Sequence, residues 1–167
     1  MIILGIDPGY AIVGWGVVQY DNYKFKALDY GAITTQAGTP FEQRLLAVYQ
    51  GVEEIIRRYR PQVLSIEKLY FGTNHTTAID VAQARGVTLL AAAQGGLPIY
   101  EYTPMQVKQA VTGYGKAEKK QMMEMTRLLL GLSAVPKPDD TADALAMAIC
   151  HGHCSGSKLK ELYAQLK

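Results

Sequence analysis

This 167-residue chain holds only two cysteines, Cys150 and Cys154, carries a formal net charge of just +2, and has no apolar run as long as a bilayer is thick. The last absence argues against a helical membrane span, which needs on the order of 18 or more apolar residues in succession. No basic stretch followed by an apolar segment and a cleavage site opens the sequence, so a cytoplasmic location and no membrane partner are expected. Two cysteines do not make a disulfide framework, and a reducing compartment would keep them as thiols. Their setting, Cys150-His151-Gly152-His153-Cys154, tempts a zinc reading. On a helix, however, Cys150 and Cys154 share a face while His151 and His153 point elsewhere, so four ligands do not converge. The histidines are expected at a helix end, near its negative dipole. Internal repeats and low-complexity blocks are also missing, which removes solenoids and arrays.

What is present is 49% hydrophobic content, enough for one domain with a real core. The expected domain spans residues 1–154. From Ser155 onward, residues 155–167, the chain turns polar and keeps only a short Leu159, Leu162, Leu166 spacing. The small net charge hides an uneven distribution: Lys108, Lys116, Lys119 and Lys120 crowd thirteen residues that contain one acid, Glu118. Such a cluster either serves a solvated helix face or forms a basic rim for an anionic partner.

Read in order, Met1 to Asp7 is an apolar run closed by Asp7-Pro8-Gly9, a strand followed by a turn with fixed and then positive φ. Val13 to Tyr20 and Lys24 to Thr35 read as further strands joined at Asp21-Asn22, so three antiparallel strands open the protein. Thr39-Pro40-Phe41-Glu42 has the form of a capping box, and apolar residues from Leu45 to Tyr59 then recur at helical spacing until Pro61. Val63 to Glu67 supplies a fourth strand and Ile99 to Tyr102 a fifth. Between them a helix of small residues runs from about Thr77 to Gln94. A second capping box, Thr103-Pro104-Met105-Gln106, starts the next helix, which Gly113-Tyr114-Gly115 breaks before Lys116 to Leu130 resumes it. The last core helix is capped by Asp139 or Asp140. The expected fold is α/β: a mixed five-stranded sheet, three antiparallel then parallel strands, flanked by helices.

Four acids occupy costly positions in this layout. Asp7 and Glu67 close apolar strands, and Asp140 and Asp143 open the apolar segment Ala144-Leu145-Ala146-Met147-Ala148-Ile149. A right-handed crossover makes the strands that start at Met1 and Val63 parallel neighbours, which places Asp7 and Glu67 at one sheet edge. Asp140 and Asp143, three apart, can reach that edge from one helix face. Oxygen-only ligands in this number suit magnesium or manganese, and two such ions can drive phosphodiester hydrolysis without a histidine base. In that arrangement Asp7 bridges the ions, with Glu67 on one and Asp140 and Asp143 on the other. Taken singly, Asp7 could only open a turn, Glu67 could pair with Lys68, and Asp140 could only cap a helix. Gly5-Ile6-Asp7-Pro8-Gly9 also resembles the phosphate turn of the actin and sugar-kinase fold. That fold repeats the motif in a second domain, for which this length leaves no room, and a Walker-type lysine loop is missing as well.

The ordered set Ile3-Leu4-Gly5-Ile6-Asp7-Pro8-Gly9, Ile66-Glu67, Gln83-Ala84-Arg85-Gly86-Val87, Gln106-Val107-Lys108-Gln109, Ala117-Glu118-Lys119 and Asp140-Thr141-Ala142-Asp143-Ala144-Leu145-Ala146 resembles the RuvC-type Holliday junction resolvases of the RNase H-like nuclease superfamily. The resemblance runs from Met1 to about His153. It implies an RNase H-like fold and a homodimeric, magnesium-dependent endonuclease, with manganese able to substitute, that cuts two opposing strands of four-way junction DNA symmetrically. It matches Asp7, Glu67, Asp140 and Asp143 to the family's catalytic acids and Lys108 and Lys119 to its DNA-contacting positions. Lys116 and Lys120 extend that basic surface. Tyr70 falls where the family places an aromatic that stacks on a junction base, with Phe71 as the alternative ring; either could instead close the core. The helix with Ala82, Ala84, Gly86, Ala91, Ala92 and Ala93 matches one at the family's subunit interface, although small residues equally allow close packing on its own sheet. Cooperation with RuvA and RuvB is implied by the resemblance alone.

Overall fold

A computed structural model describes residues 1–69 and 78–155. Its sheet has five strands in the order β3-β2-β1-β4-β5: β1 (Ile2–Asp7), β2 (Ile12–Asp21), β3 (Lys24–Thr34), β4 (Val63–Glu67) and β5 (Ile99–Tyr102). β1 pairs antiparallel with β2 and β2 with β3, whereas β1–β4 and β4–β5 are parallel. The expected mixed sheet is therefore present, with strand ends within a residue or so of those read from the alternation.

Side-chain alternation divides the core between the two sheet faces. Leu4, Ile6, Val13, Val17, Leu64 and Ile66 pack on one face with Val48, Val52 and Ile55 of α1 (Phe41–Tyr59) and Ala91 and Ala92 of α2 (Ala78–Gln94). Ile3, Val18 and Val63 pack on the other with Leu145 and Ile149 of α5 (Asp139–Ser155) and with Val107 and Met122 of α3 (Pro104–Thr112) and α4 (Lys119–Leu129). α5 is buried almost throughout from Thr141 to Gly152, because it is sandwiched between the sheet and α3 and α4.

Helix starts depart from the expected ones in instructive ways. α1 begins at Phe41, and Thr39 does not cap it; the Thr39 N–H instead bonds Gln36 O at 3.3 Å, within the preceding turn. The Thr103 box forms as expected, its hydroxyl accepting from Gln106 N at 3.1 Å and Gln106 Oε1 accepting from Thr103 N at 2.9 Å. α4 starts at Lys119 rather than Lys116 because Glu118 and Gln121 make a reciprocal box of their own. α5 includes Asp139 and Asp140 in its first turn, so neither is its cap. His153 falls in its last turn, as expected, whereas His151 lies further in: its ring is buried, with Nδ1 2.8 Å from Tyr102 Oη. Neither Cys150 nor Cys154 is joined in a disulfide.

The small-residue helix packs into the core of its own chain, one of the two uses left open by the sequence. Ala84, Ala91 and Ala92 are buried within the subunit, while Ile79, Gly86, Leu90 and Ala93 are exposed at positions that share one helix face. Among the described residues, no helix is long and apolar enough to cross a membrane.

Candidate active site

Asp7 and Glu67 each lie one residue beyond Ile6 and Ile66, the last partners in the parallel β1–β4 register. They are therefore neighbours at the carboxyl end of the sheet. Alternation puts Asp7 on the same face as Gly5 and Ile3, and Glu67 on the same face as Ser65 and Val63, which is the face that α5 covers. Ser65, fully buried, donates its hydroxyl to Met147 O at 2.7 Å and so ties β4 to α5 in the layer beneath Glu67. A buried hydrogen bond of this kind contributes about 1 kcal/mol, and more is lost if only one partner is removed.

α5 reaches the acids because the sheet has no side chains in its way. Gly5 faces Gly16, and Asp7 faces Gly14, across the β1–β2 ladder. A Cβ on Gly5 would stand 2.0 Å from Ala144 O, one on Gly14 1.9 Å from Asp140 O, and one on Gly16 2.5 Å from Leu145 Cδ2. Three glycines thus make a track on which the helix backbone lies directly against the strands, delivering Asp140 and Asp143 to the end where Asp7 sits. In the sequence this track leaves one signal, the Gly14-Trp15-Gly16 of β2.

The resulting electrostatics are severe. Burial, then the charges of Asp143, Glu67 and Asp140, push the Asp7 carboxyl from its ordinary 3.8 up to about 7, with Lys119 opposing. Burial and Asp143 also raise Glu67. Asp143 is raised by burial against the pull of Lys119, with Asp140 and Asp139 reinforcing the rise. All four predicted acids are hence electrically coupled in one place. Glu67 makes no ion pair with a described residue, so the Lys68 alternative is not realised.

The carboxylates do not form a finished coordination shell. Among the described residues, no three acidic, histidine or cysteine side chains stand close enough to hold a metal ion. Lys119 stands beside two acids, its Nζ 3.3 Å from Asp143 Oδ2 and 3.5 Å from Asp139 Oδ2. The donor set still fits a hard divalent cation: oxygen ligands only, half-buried, and short of positive charge on the Asp7 and Glu67 side.

Lys108 and Lys119 line a cavity of about 280 Å³ whose wall also includes Glu67, Asp143, Val107 and Met147. Two of the four expected basic residues therefore stand beside the acids. Lys116 is exposed in the turn before α4, and Lys120 borders a separate cavity with Thr112, Tyr114 and Met125. Tyr70 and Phe71 lie outside the described residues. Arg85, which the sequence marks only as a motif position, anchors α2 to the end of β4. Its Nε donates to Glu67 O at 3.3 Å while its guanidinium pairs with Glu101.

The family model for crossover junction endodeoxyribonuclease RuvC matches residues 3–151. The chain belongs to the RuvC family. Crossover junction endodeoxyribonuclease RuvC of Clostridioides difficile strain 630 is 58% identical over 153 residues, covering 92% of this chain and 90% of the relative. The RuvC structure from Thermus thermophilus superposes with a TM-score of 0.86 at 37% identity, over 93% of this chain and 95% of that one. A second Thermus thermophilus RuvC, in complex with Holliday junction substrate, gives a TM-score of 0.85 at 35% identity over the same shares. The five-stranded mixed sheet with its flanking helices is accordingly the RNase H-like architecture of RuvC proteins.

Proposed function

We infer that this chain is a structure-selective DNA endonuclease that resolves four-way junctions by paired, symmetric nicks in homologous recombination and DNA repair. The observation that carries the reading is that Asp7 and Glu67 are neighbours at the carboxyl ends of β1 and β4, with α5 packed against the glycines of the sheet so that Asp140 and Asp143 lie at the same end. It occurs in a chain whose relative in Thermus thermophilus is described in complex with Holliday junction substrate.

Asp7, Glu67, Asp140 and Asp143 are the residues that would hold magnesium or manganese. When bound, the metal supplies an activated water and charge stabilisation on the leaving oxygen. The chain's own part is to bind and orient. Buried strand ends fix Asp7 and Glu67, and the glycine track fixes Asp140 and Asp143. Lys108 and Lys119 place positive charge on the cavity wall where a phosphodiester backbone would run. Hydrolysis joins water oxygen to phosphorus and breaks the bond to the 3′ oxygen, leaving a 5′-phosphate and a 3′-hydroxyl.

Paired nicks require two sites related by symmetry, since a two-fold protein matches a two-fold junction. The outward α2 face of Ile79, Gly86, Leu90 and Ala93 supports a homodimer. Tyr70 or Phe71 is assigned to stacking on a junction base, and Lys116 and Lys120 to the flanking DNA arms. Cooperation with RuvA and RuvB and a cytoplasmic location are part of the same proposal, supported by family membership.

The test is magnesium-dependent cleavage of a four-way junction beside duplex, RNA–DNA hybrid and flap at one salt concentration. Preferential, paired cutting of the junction supports the reading. Equal cutting of hybrid would indicate a different RNase H-like nuclease, and binding without cutting in magnesium or manganese would indicate a junction-binding module.

A further inference from the structure

Lys119 is held by two carboxylates rather than one, and only one of them belongs to the proposed catalytic set. Its Nζ lies 3.3 Å from Asp143 Oδ2 and 3.5 Å from Asp139 Oδ2. Asp139 has a second cation of its own, its Oδ1 accepting from Lys137 Nζ at 2.7 Å. The four charges form a chain in which each anion is next to a cation: Lys137, Asp139, Lys119, Asp143.

This arrangement bears on a conflict within the site. While Asp143 engages the Lys119 ammonium, its Oδ2 is occupied by a cation that competes with any metal for the same oxygen. Releasing Asp143 would leave Lys119, on the cavity wall, next to arriving metal charge with no anion of its own. A second carboxylate on the same ammonium relieves both problems, because Lys119 keeps a partner when Asp143 engages a metal. Lys137 completes the device by fixing one oxygen of Asp139, so that the other stays directed at Lys119.

We propose that Asp139 is a positioning residue that holds Lys119 when Asp143 takes up metal, making Lys119 shared between the two carboxylates a built-in exchange step between the metal-free and metal-loaded site. The proposal rests on the metal-dependent reading above and adds a role for a residue outside the four acids. It applies to exposed charge pairs, so the effect is modest. A pair of this kind changes an equilibrium by about two- to fivefold.

The experiment is a double-mutant cycle read by calorimetric titration of the full-length protein with magnesium or manganese alone, without DNA. Asp139→Asn is expected to weaken metal binding about two- to fivefold, the scale of one such pair. Asp139→Glu, which keeps the charge within reach, should restore most of it. In a Lys119→Gln background the Asp139→Asn change should have no further effect, because nothing is left to be held. An equal loss in both backgrounds would overturn the proposal, since Asp139 would then act only through its general negative field. No loss in either background would overturn it as well. If the unmutated protein binds neither ion, the metal-dependent reading fails first, and that result is distinguishable because it precedes any substitution. Thermal melts of each variant separate a folding defect from a binding one, and the Asp139→Glu rescue answers the question even if Asp139→Asn is less stable.

Discussion

Replacing Asp7 with asparagine should inactivate the protein and, in the absence of metal, make it more stable. Burial and three neighbouring carboxylates raise Asp7 from 3.8 to about 7. For an acid the sign follows directly: the folded state favours the protonated form, so Asp7 contributes stability that is fully present below pH 3.8 and lost as pH rises through about 7. At about 1.4 kcal/mol per pH unit, the ceiling on that loss is about 4 kcal/mol. Asp7→Asn holds that one side chain uncharged at every pH and so removes this loss. If half of the ceiling is realised, the melting midpoint at pH 8 in a chelator rises by about 4–8 °C for a domain of this size. At pH 4 the variant and the parent should differ much less. The assay is a pair of thermal melts at each pH with chelator, repeated with magnesium, which should stabilise the parent and leave the variant nearly unmoved. A variant that melts lower than the parent at pH 8 in chelator, or one that still cleaves junctions with magnesium, would refute the electrostatic account of Asp7.

Three other outcomes are expected. Divalent-ion affinity measured by titration should be nearly flat above pH 8 and fall by up to about tenfold per pH unit below pH 6, because Asp7, with a value of about 7, must shed its proton before it can ligate. Gly14→Ala places a methyl group 1.9 Å from Asp140 O and should lower stability by about 1–3 kcal/mol or more in chemical denaturation, with metal binding lost beyond what the stability change explains. Lys108→Ala should weaken junction binding and reduce the slope of log affinity against log salt by about one, as expected for one phosphate contact, while the melting midpoint stays within about 1–2 °C of the parent.

The legible part of this protein is the part written in periodicity and in misplaced charge. Alternation marks the strands, Pro61 and Pro104 bound helices, and the four acids stand out because each interrupts an apolar element. Less visible are interactions that depend on what lies across a gap. Nothing local announces that Gly5, Gly14 and Gly16 line up across a ladder to admit a helix, since that requires the β1–β2 register. Helix starts are misleading at Thr39, where a turn claims the threonine's backbone, and before Lys119, where a Glu118–Gln121 box sets the boundary. His151 looks like a terminal residue because the polar tail begins soon after it; the helix continues and buries its ring against Tyr102. The resemblance assigns Lys119 to DNA, but only the folded chain shows that Asp143 and Asp139 already share it.

The most direct test of the central claim is a crystal structure of the protein soaked in manganese, with the anomalous signal used to locate the ions. Ions are expected among Asp7, Glu67, Asp140 and Asp143, with Asp7 contacting more than one and Lys119 shifted from Asp143 toward Asp139. Density for no ion at the strand ends, with the four carboxylates still apart and Lys119 still on Asp143 at saturating manganese, would contradict it.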